Sequence, residues 1–287
     1  MRTDPLAVLS AARVTVVAGK GGVGKTTVTA VLAHAAAAAG RRVAVVELDG
    51  KPALADLCGD IACLELSAPA ALAEYLRDHG FGRVARHLTS SGVIDVVSTA
   101  APGIDDIVVL GKVKQLERSG EWDSIVVDGP AAGHAVTMLT SAVGLHAAVS
   151  GGPVRAQADD VLAMLRDEQR CQVALVTLAE TTPVTETIET AFALEDRVGV
   201  RLAPLVVNAV DDLGDGLDDT DLAAAEALGT GVAAAARFAR ERARLQVAAI
   251  ERLTAELALP QLHVPRSELG RLDRDGVAAL AGRLLAA

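Results

Sequence analysis

Aromatic residues are nearly missing from this chain: one Trp, one Tyr and three Phe amount to 2% of 287 residues, while 51% are hydrophobic. A core must therefore be built from Ala, Val and Leu, and no aromatic platform is on hand to stack the bases of a single strand. Positive charge is also scarce. The net charge is −10, and lysine occurs only at Lys20, Lys25, Lys51, Lys112 and Lys114. No basic patch stands out, which argues against a nucleic-acid or anionic-membrane surface. Cys58, Cys63 and Cys171 are an odd number without a Cys-x-x-Cys pair. Neither a disulfide framework nor a structural zinc site is indicated. Long apolar runs are missing too. The uncharged stretch 131–154 carries two histidines, several glycines and hydroxyl residues, and reads as a buried helix with loops rather than a membrane span. The apolar run 14–18 is too short for a signal-peptide core and is flanked by Arg13 and Lys20. The expectation is a soluble, cytoplasmic protein.

What the chain does have is alternation. Short β-branched runs at 13–18, 42–48, 93–98, 124–128, 172–178, 203–208 and 261–264 read as strands. Helical stretches lie between or after them, at 25–39, 69–79, 104–118, within 135–150, and at 156–169, 183–198 and 273–286. This order predicts an α/β fold, a mainly parallel sheet with helices on both faces. The acidic stretch 211–221, with its interspersed glycines, reads as a solvated loop, and 222–257 as two helices broken near Gly229–Gly231. No Pro- or Ser-rich linker divides the chain, so residues 1–287 are expected to form one domain.

The strongest motif is Gly19-Lys20-Gly21-Gly22-Val23-Gly24-Lys25-Thr26, a complete G-x-x-x-x-G-K-[ST] phosphate loop with a strand before it and an alanine-rich helix after it. The glycines let the backbone wrap closely, so that its N–H groups and the helix N-terminus face phosphate. The fold is then that of a P-loop NTPase. Gly19, Gly21, Gly22, Val23, Gly24, Lys25, Thr26 and Thr27 would cradle the nucleotide. Lys25 would reach the β- and γ-phosphates and Thr26 would hold Mg²⁺. A second strand ending in an acid, Ile125-Val126-Val127-Asp128, supplies the other metal residue. Asp49 ends the strand Val43–Leu48, where a carboxylate could orient the attacking water.

Two lysines in one loop need a further explanation. The Lys-Gly-Gly-x-Gly-Lys-Thr form resembles the deviant phosphate loop of dimeric P-loop ATPases: partition and septum-site ATPases, nitrogenase iron proteins and the ArsA family. That resemblance implies that Lys20 crosses a dimer interface to the partner's phosphates, adding positive charge where the transition state gathers negative charge. Asp49-Gly50-Lys51-Pro52-Ala53-Leu54-Ala55-Asp56 is similar to the first switch of ArsA-type ATPases, and Asp128-Gly-Pro-Ala-Ala-Gly133-His134 to their second. Thr185-Glu186-Thr187-Ile188-Glu189 looks like the family's helix after its next strand. Val206-Val207-Asn208 is similar to the strand whose asparagine recognises adenine. His263 to Gly270, including Pro265 and Arg266, resembles the loop that closes over the base. Two departures stand out: Gly50-Lys51 replaces Pro-Ala in the first switch, and the proline of the second switch is displaced.

The resemblance implies Mg²⁺-dependent ATP hydrolysis driving a conformational cycle in a dimer. The partner would be an identical chain or a related, larger ArsA-like ATPase, as in the paired actinobacterial enzymes. Catalytic roles fall on Lys20, Lys25 and Asp49, metal binding on Thr26 and Asp128, and base binding on Asn208, Pro265 and Arg266. Two alternatives stay open. One is a chaperone ATPase with a transient membrane-protein partner, a task that favours a methionine-lined groove, whereas only Met1, Met138 and Met164 occur here. The other is a nucleotide-binding regulatory subunit that relies on its partner for hydrolysis. His134 fits either a switch contact or a structural role, and no metalloid site is assigned to the cysteines.

Overall fold

The computed structural model describes residues 4–9, 11–48, 52–78, 103–211, 217–267 and 272–286. Seven parallel strands form one sheet in the order β3-β2-β4-β1-β5-β6-β7. They are β1 (Val14–Gly19), β2 (Val43–Glu47), β3 (Ala62–Glu65), β4 (Ser124–Ala131), β5 (Cys171–Leu178), β6 (Leu205–Val210) and β7 (Gln261–Pro265). Parallel strands buried on both faces need uninterrupted apolar runs. β1 and β2 are buried at every residue and apolar apart from Thr15 and Glu47.

Eleven helices are described: α1 (Pro5–Leu9), α2 (Lys25–Ala38), α3 (Pro52–Cys58), α4 (Ala68–Asp78), α5 (Ile104–Ser119), α6 (Ala132–Ala148), α7 (Pro153–Leu165), α8 (Thr181–Arg197), α9 (Asp219–Leu228), α10 (Thr230–Glu256) and α11 (Arg274–Ala286). They divide the core in two. Val28, Val31 and Leu32 of α2 pack with Leu54 of α3, Leu280 of α11 and Val17, Val45, Val126 and Val176 of the sheet. On the opposite face, Leu110 of α5, Leu139 of α6, Leu162 of α7, Leu194 of α8 and Leu253 of α10 pack against Val16, Ile125, Val127 and Leu175. The alanines of α2 let it approach closely enough to be buried on most of its circumference.

β1 lies between β4 and β5, so the chain leaves the carboxyl ends of neighbouring strands in different directions there. That divergence opens a crevice at the carboxyl edge, where open α/β sheets bind ligands.

Several expectations are revised. β3 is a four-residue edge strand held by its register on β2, Ala44 beside Ala62 through Glu47 beside Glu65. Tertiary pairing makes it a strand, because so short a sequence carries no period of its own. The short helices α1 and α3 were likewise not expected. The acidic stretch is not loop to its end. Asp218 accepts from the Asp221 N–H at 2.8 Å while Asp221 accepts from the Asp218 N–H at 3.0 Å, a capping box that starts α9 at Asp219. The break near Gly229 is present, between α9 and α10. The expected strand 93–98 lies outside the described residues. Among the described residues, no helix is long and apolar enough to cross a membrane.

Candidate functional site

The loop from β1 to α2 is shaped by glycine. Gly22 and Gly24 take φ values of 87° and 88°, which L side chains rarely adopt, and Gly24 is the N-cap of α2. A Cβ on Gly19 would lie 2.3 Å from the Val176 carbonyl oxygen of β5, so the loop leaves β1 hard against the neighbouring strand. At the crown, a Cβ on Gly21 or Gly22 would meet nothing within 4 Å. The loop is thus anchored at its foot and open at its crown, the shape of a cradle. Val23 is buried beneath it.

The two lysines behave differently. The half-buried Lys25 folds back along the loop, its ammonium donating to the Gly19 carbonyl at 3.2 Å and the Lys20 carbonyl at 3.3 Å. Lys20 leaves the loop altogether and donates to Glu186 Oε1 on the second turn of α8. Both members of that pair are about one-third exposed.

Asp128 is 2% exposed and receives two hydroxyls of α2: Thr26 Oγ1 donates to Oδ2 at 2.8 Å, and Thr29 Oγ1 to Oδ1 at 3.2 Å. The register explains the meeting, since Asp128 stands beside Val17 of β1 and beside the buried Glu47 of β2. Gly129 makes it close: a Cβ there would lie 2.4 Å from the Val17 carbonyl. Thr29 is the residue that motif reading misses. Its signal is present in the sequence, because residues i and i+3 share a helix face and Thr29 stands three after Thr26.

Asn208 lies at the other wall. Its Nδ2 donates to the Val23 carbonyl at 2.8 Å and would lie 2.3 Å from a Cβ on Gly24. The amide N–H therefore braces the phosphate loop. The next residue, Ala209, has φ 54°, and it is the positive-φ non-glycine residue among those described. The β6–β7 register shifts across this point, between Val207 and Val210. A left-handed alanine costs about 1–2 kcal/mol, and the turn it makes points Asn208 at the loop. Beyond it, Arg266 and Arg242 of α10 both bind Asp211, at 2.5 and 2.7 Å, and the Asp211 N–H donates to Gln246 at 3.1 Å. Pro265 ends β7 beside Val210. The expected base-binding residues thus sit together on the β6–β7 side.

Asp49 lies outside the described residues, as do Gly50 and Lys51. His134 reaches Asp106 of α5 at 3.6 Å across a cleft of about 330 Å³ beside Pro130 and Met138, on the face opposite α2. Burial raises the Asp106 carboxyl, and His134 partly offsets the rise. Cys58 is buried and its thiol is pushed up to about 12, chiefly by burial; burial raises Cys63 as well. Cys171 is pushed up to about 12 for the same reason. Thiols so protonated are poor ligands for a soft ion.

Comparison with known proteins agrees with this geometry. Residues 12–150 match the family described as Anion-transporting ATPase (ArsA). The chain is 33% identical over 219 residues to the ATPase BagA of Mycobacterium tuberculosis, covering 68% of this chain and 63% of that protein. It is 29% identical over 199 residues to an arsenical pump-driving ATPase of Escherichia coli, covering 66% of this chain and 33% of that protein. A similar match, 29% over 195 residues, links it to the arsenical pump-driving ATPase of Acidiphilium multivorum. The match thus spans just under two thirds of the first relative's length and a third of each of the others'.

Proposed function

The chain is an ArsA-like family protein, and on that premise we propose that it binds ATP with Mg²⁺ and hydrolyses it as one half of a dimer. The observation that carries this reading is the buried Asp128 holding the Thr26 hydroxyl at the foot of an intact phosphate loop. That donor set, one hydroxyl and one carboxylate, suits a hard cation that keeps water and phosphate oxygens as its other ligands. Thr26 and Asp128 would hold Mg²⁺, and the positive charge supplied there would offset the negative charge that develops during phosphoryl transfer.

The chain's own residues divide the remaining work. Loop N–H groups and Lys25 bind and orient the phosphates. To do so, Lys25 exchanges the Gly19 and Lys20 carbonyls for phosphate oxygens, a gain because the acceptor is then charged. Asp128 accepts from Thr26 and Thr29, which keeps the carboxylate aimed at the loop. Asp49 orients water, and Lys20 acts on the nucleotide of the second subunit, an identical or related ArsA-like chain. Asn208, Pro265 and Arg266 form the base end and select adenine through its donor and acceptor edge. The dimer's opening and closing would drive work of the kind the arsenical-pump relatives are named for, on an anion or metalloid.

Titration calorimetry tests this. ATP should bind more tightly with Mg²⁺ than without it and more tightly than GTP, and Asp128→Asn should remove the Mg²⁺ dependence. Equal affinity for ATP and GTP would overturn the base assignment. Unchanged Mg²⁺ dependence in Asp128→Asn would overturn the metal assignment.

A further inference from the structure

Lys20 is held by its own chain. Its ammonium donates to Glu186, the sixth residue of α8, although 166 positions separate the two in sequence. Lys25 donates back along its own loop, to the Gly19 and Lys20 carbonyls. Lys20 is bound by a full negative charge, which cancels the charge it would bring to a transition state.

Glu186 is fixed more firmly than its partner. α8 starts directly after β5, Val184 and Ile188 bury its inner face in the core, and the Glu186 carbonyl accepts from Thr190 Oγ1. Lys20 stands instead on the open crown of a glycine loop. The packed helix therefore sets where the pair meets.

We propose that Glu186 is a positioning residue that keeps the Lys20 ammonium docked on α8 of its own subunit, and that a second nucleotide-loaded copy releases it by offering polyphosphate. This rests on the proposed role of Lys20 across a dimer interface. The pair is part-exposed, so its hold is weak, on the order of a two- to five-fold bias. A bias of that size suits a restraint that must yield. An isolated subunit keeps its finger neutralised, and nucleotide-driven pairing exchanges one carboxylate for several phosphate oxygens.

The test uses the full chain in four forms: wild type, Glu186→Gln, Lys20→Ala and the double variant. ATPase rate is measured against protein concentration. Glu186→Gln should reach half-maximal specific activity at about two- to five-fold lower concentration, with an unchanged thermal midpoint. The double variant should match Lys20→Ala alone. A reading independent of turnover is lysine acetylation of the monomer, followed by mass spectrometry, with Lys112 as internal reference. Glu186→Gln should raise Lys20 labelling at least two-fold over wild type. Unchanged labelling and an unchanged concentration profile, with Lys20→Ala still slow, would overturn this inference alone. Retention of the Glu186→Gln gain in the Lys20→Ala background would also overturn it, since Glu186 would then act without Lys20. Wild-type turnover in Lys20→Ala would instead overturn the dimer role of Lys20, and this inference with it.

Discussion

The foot of the phosphate loop and its α8 flank are built on opposite rules. At the foot, Asp128 is buried and bound by two hydroxyls of a packed helix, and Gly19 and Gly129 let strands approach where a Cβ would clash. On the flank, Lys20 and Glu186 meet in an exposed pair, and nearby Phe238 and Leu245 of α10 stand half or more exposed. Buried, hydrogen-bonded polar groups have one low-energy arrangement, because any other strands a donor or acceptor. Exposed ion pairs exchange partners at little cost. On the proposed reading, a nucleotide hydrolase that works in pairs uses both: a rigid place for its own phosphates and an exchangeable charge for its partner's.

Substitution of the two lysines should break the comparison most sharply. Lys25→Ala is expected to lower ATP affinity by roughly 10²-fold, the scale of losing charged hydrogen bonds, as read by calorimetry. Lys20→Ala should leave affinity within about two-fold and lower turnover by roughly 10³-fold, the lower range of a finger in trans. Similar effects of the two on affinity would mean that the two regions are not functionally distinct.

The rigidity of the foot is tested next. Thr29→Val keeps the shape and removes one hydroxyl from the buried Asp128. It should cost about 1–2 kcal/mol in denaturant unfolding and weaken the Mg²⁺ dependence of ATP binding. An equally stable variant would show that Asp128 needs only Thr26.

Ala209 gives a smaller test with an unusual sign. Glycine inside a strand normally costs about 0.5–1 kcal/mol. Here Ala209→Gly removes left-handed strain, so stability should be unchanged or higher by up to about 1 kcal/mol. A loss of the ordinary size would mean that the backbone at Ala209 is not strained.

The smallest effect lies far from both regions, at the surface pair of Arg42 and Asp123. Hydrogen bonds from Arg42 hold the Asp123 carboxyl at about 2, below its ordinary 3.8. A depressed carboxyl stabilises the fold above its ordinary value and loses that contribution as pH falls towards 2. The thermal midpoint of wild type should slightly exceed that of Asp123→Asn at pH 6, and the gap should close near pH 2. A gap that persists at pH 2 would assign the difference to packing.

Much of the site was legible because its chemistry is local. The loop's glycines, Lys25 and Thr26 stand in one octapeptide, and Asp128 ends a strand-like run, so spacing alone singles them out. Thr29 could have been found by helical spacing from Thr26. Glu186 could not, since neither its helix nor its neighbours in sequence point to Lys20. Edge strand β3 and the start of α9 were misjudged for related reasons: one depends on a neighbouring strand, the other on two aspartates capping each other where composition reads as loop.

By itself, then, the sequence determined the alternation of elements, the parallel sheet and the phosphate loop, since periodicity, β-branching and glycine placement act over a few residues. Only the tertiary structure decided which groups from distant segments share a surface. Packing α2 against β4 brings Thr29 to Asp128, the strained turn at Ala209 aims Asn208 at Val23, and placing α8 beside β1 sets Glu186 against Lys20. Those meetings follow from strand order and helix docking, which are set by burial of the whole chain and by no short stretch of it.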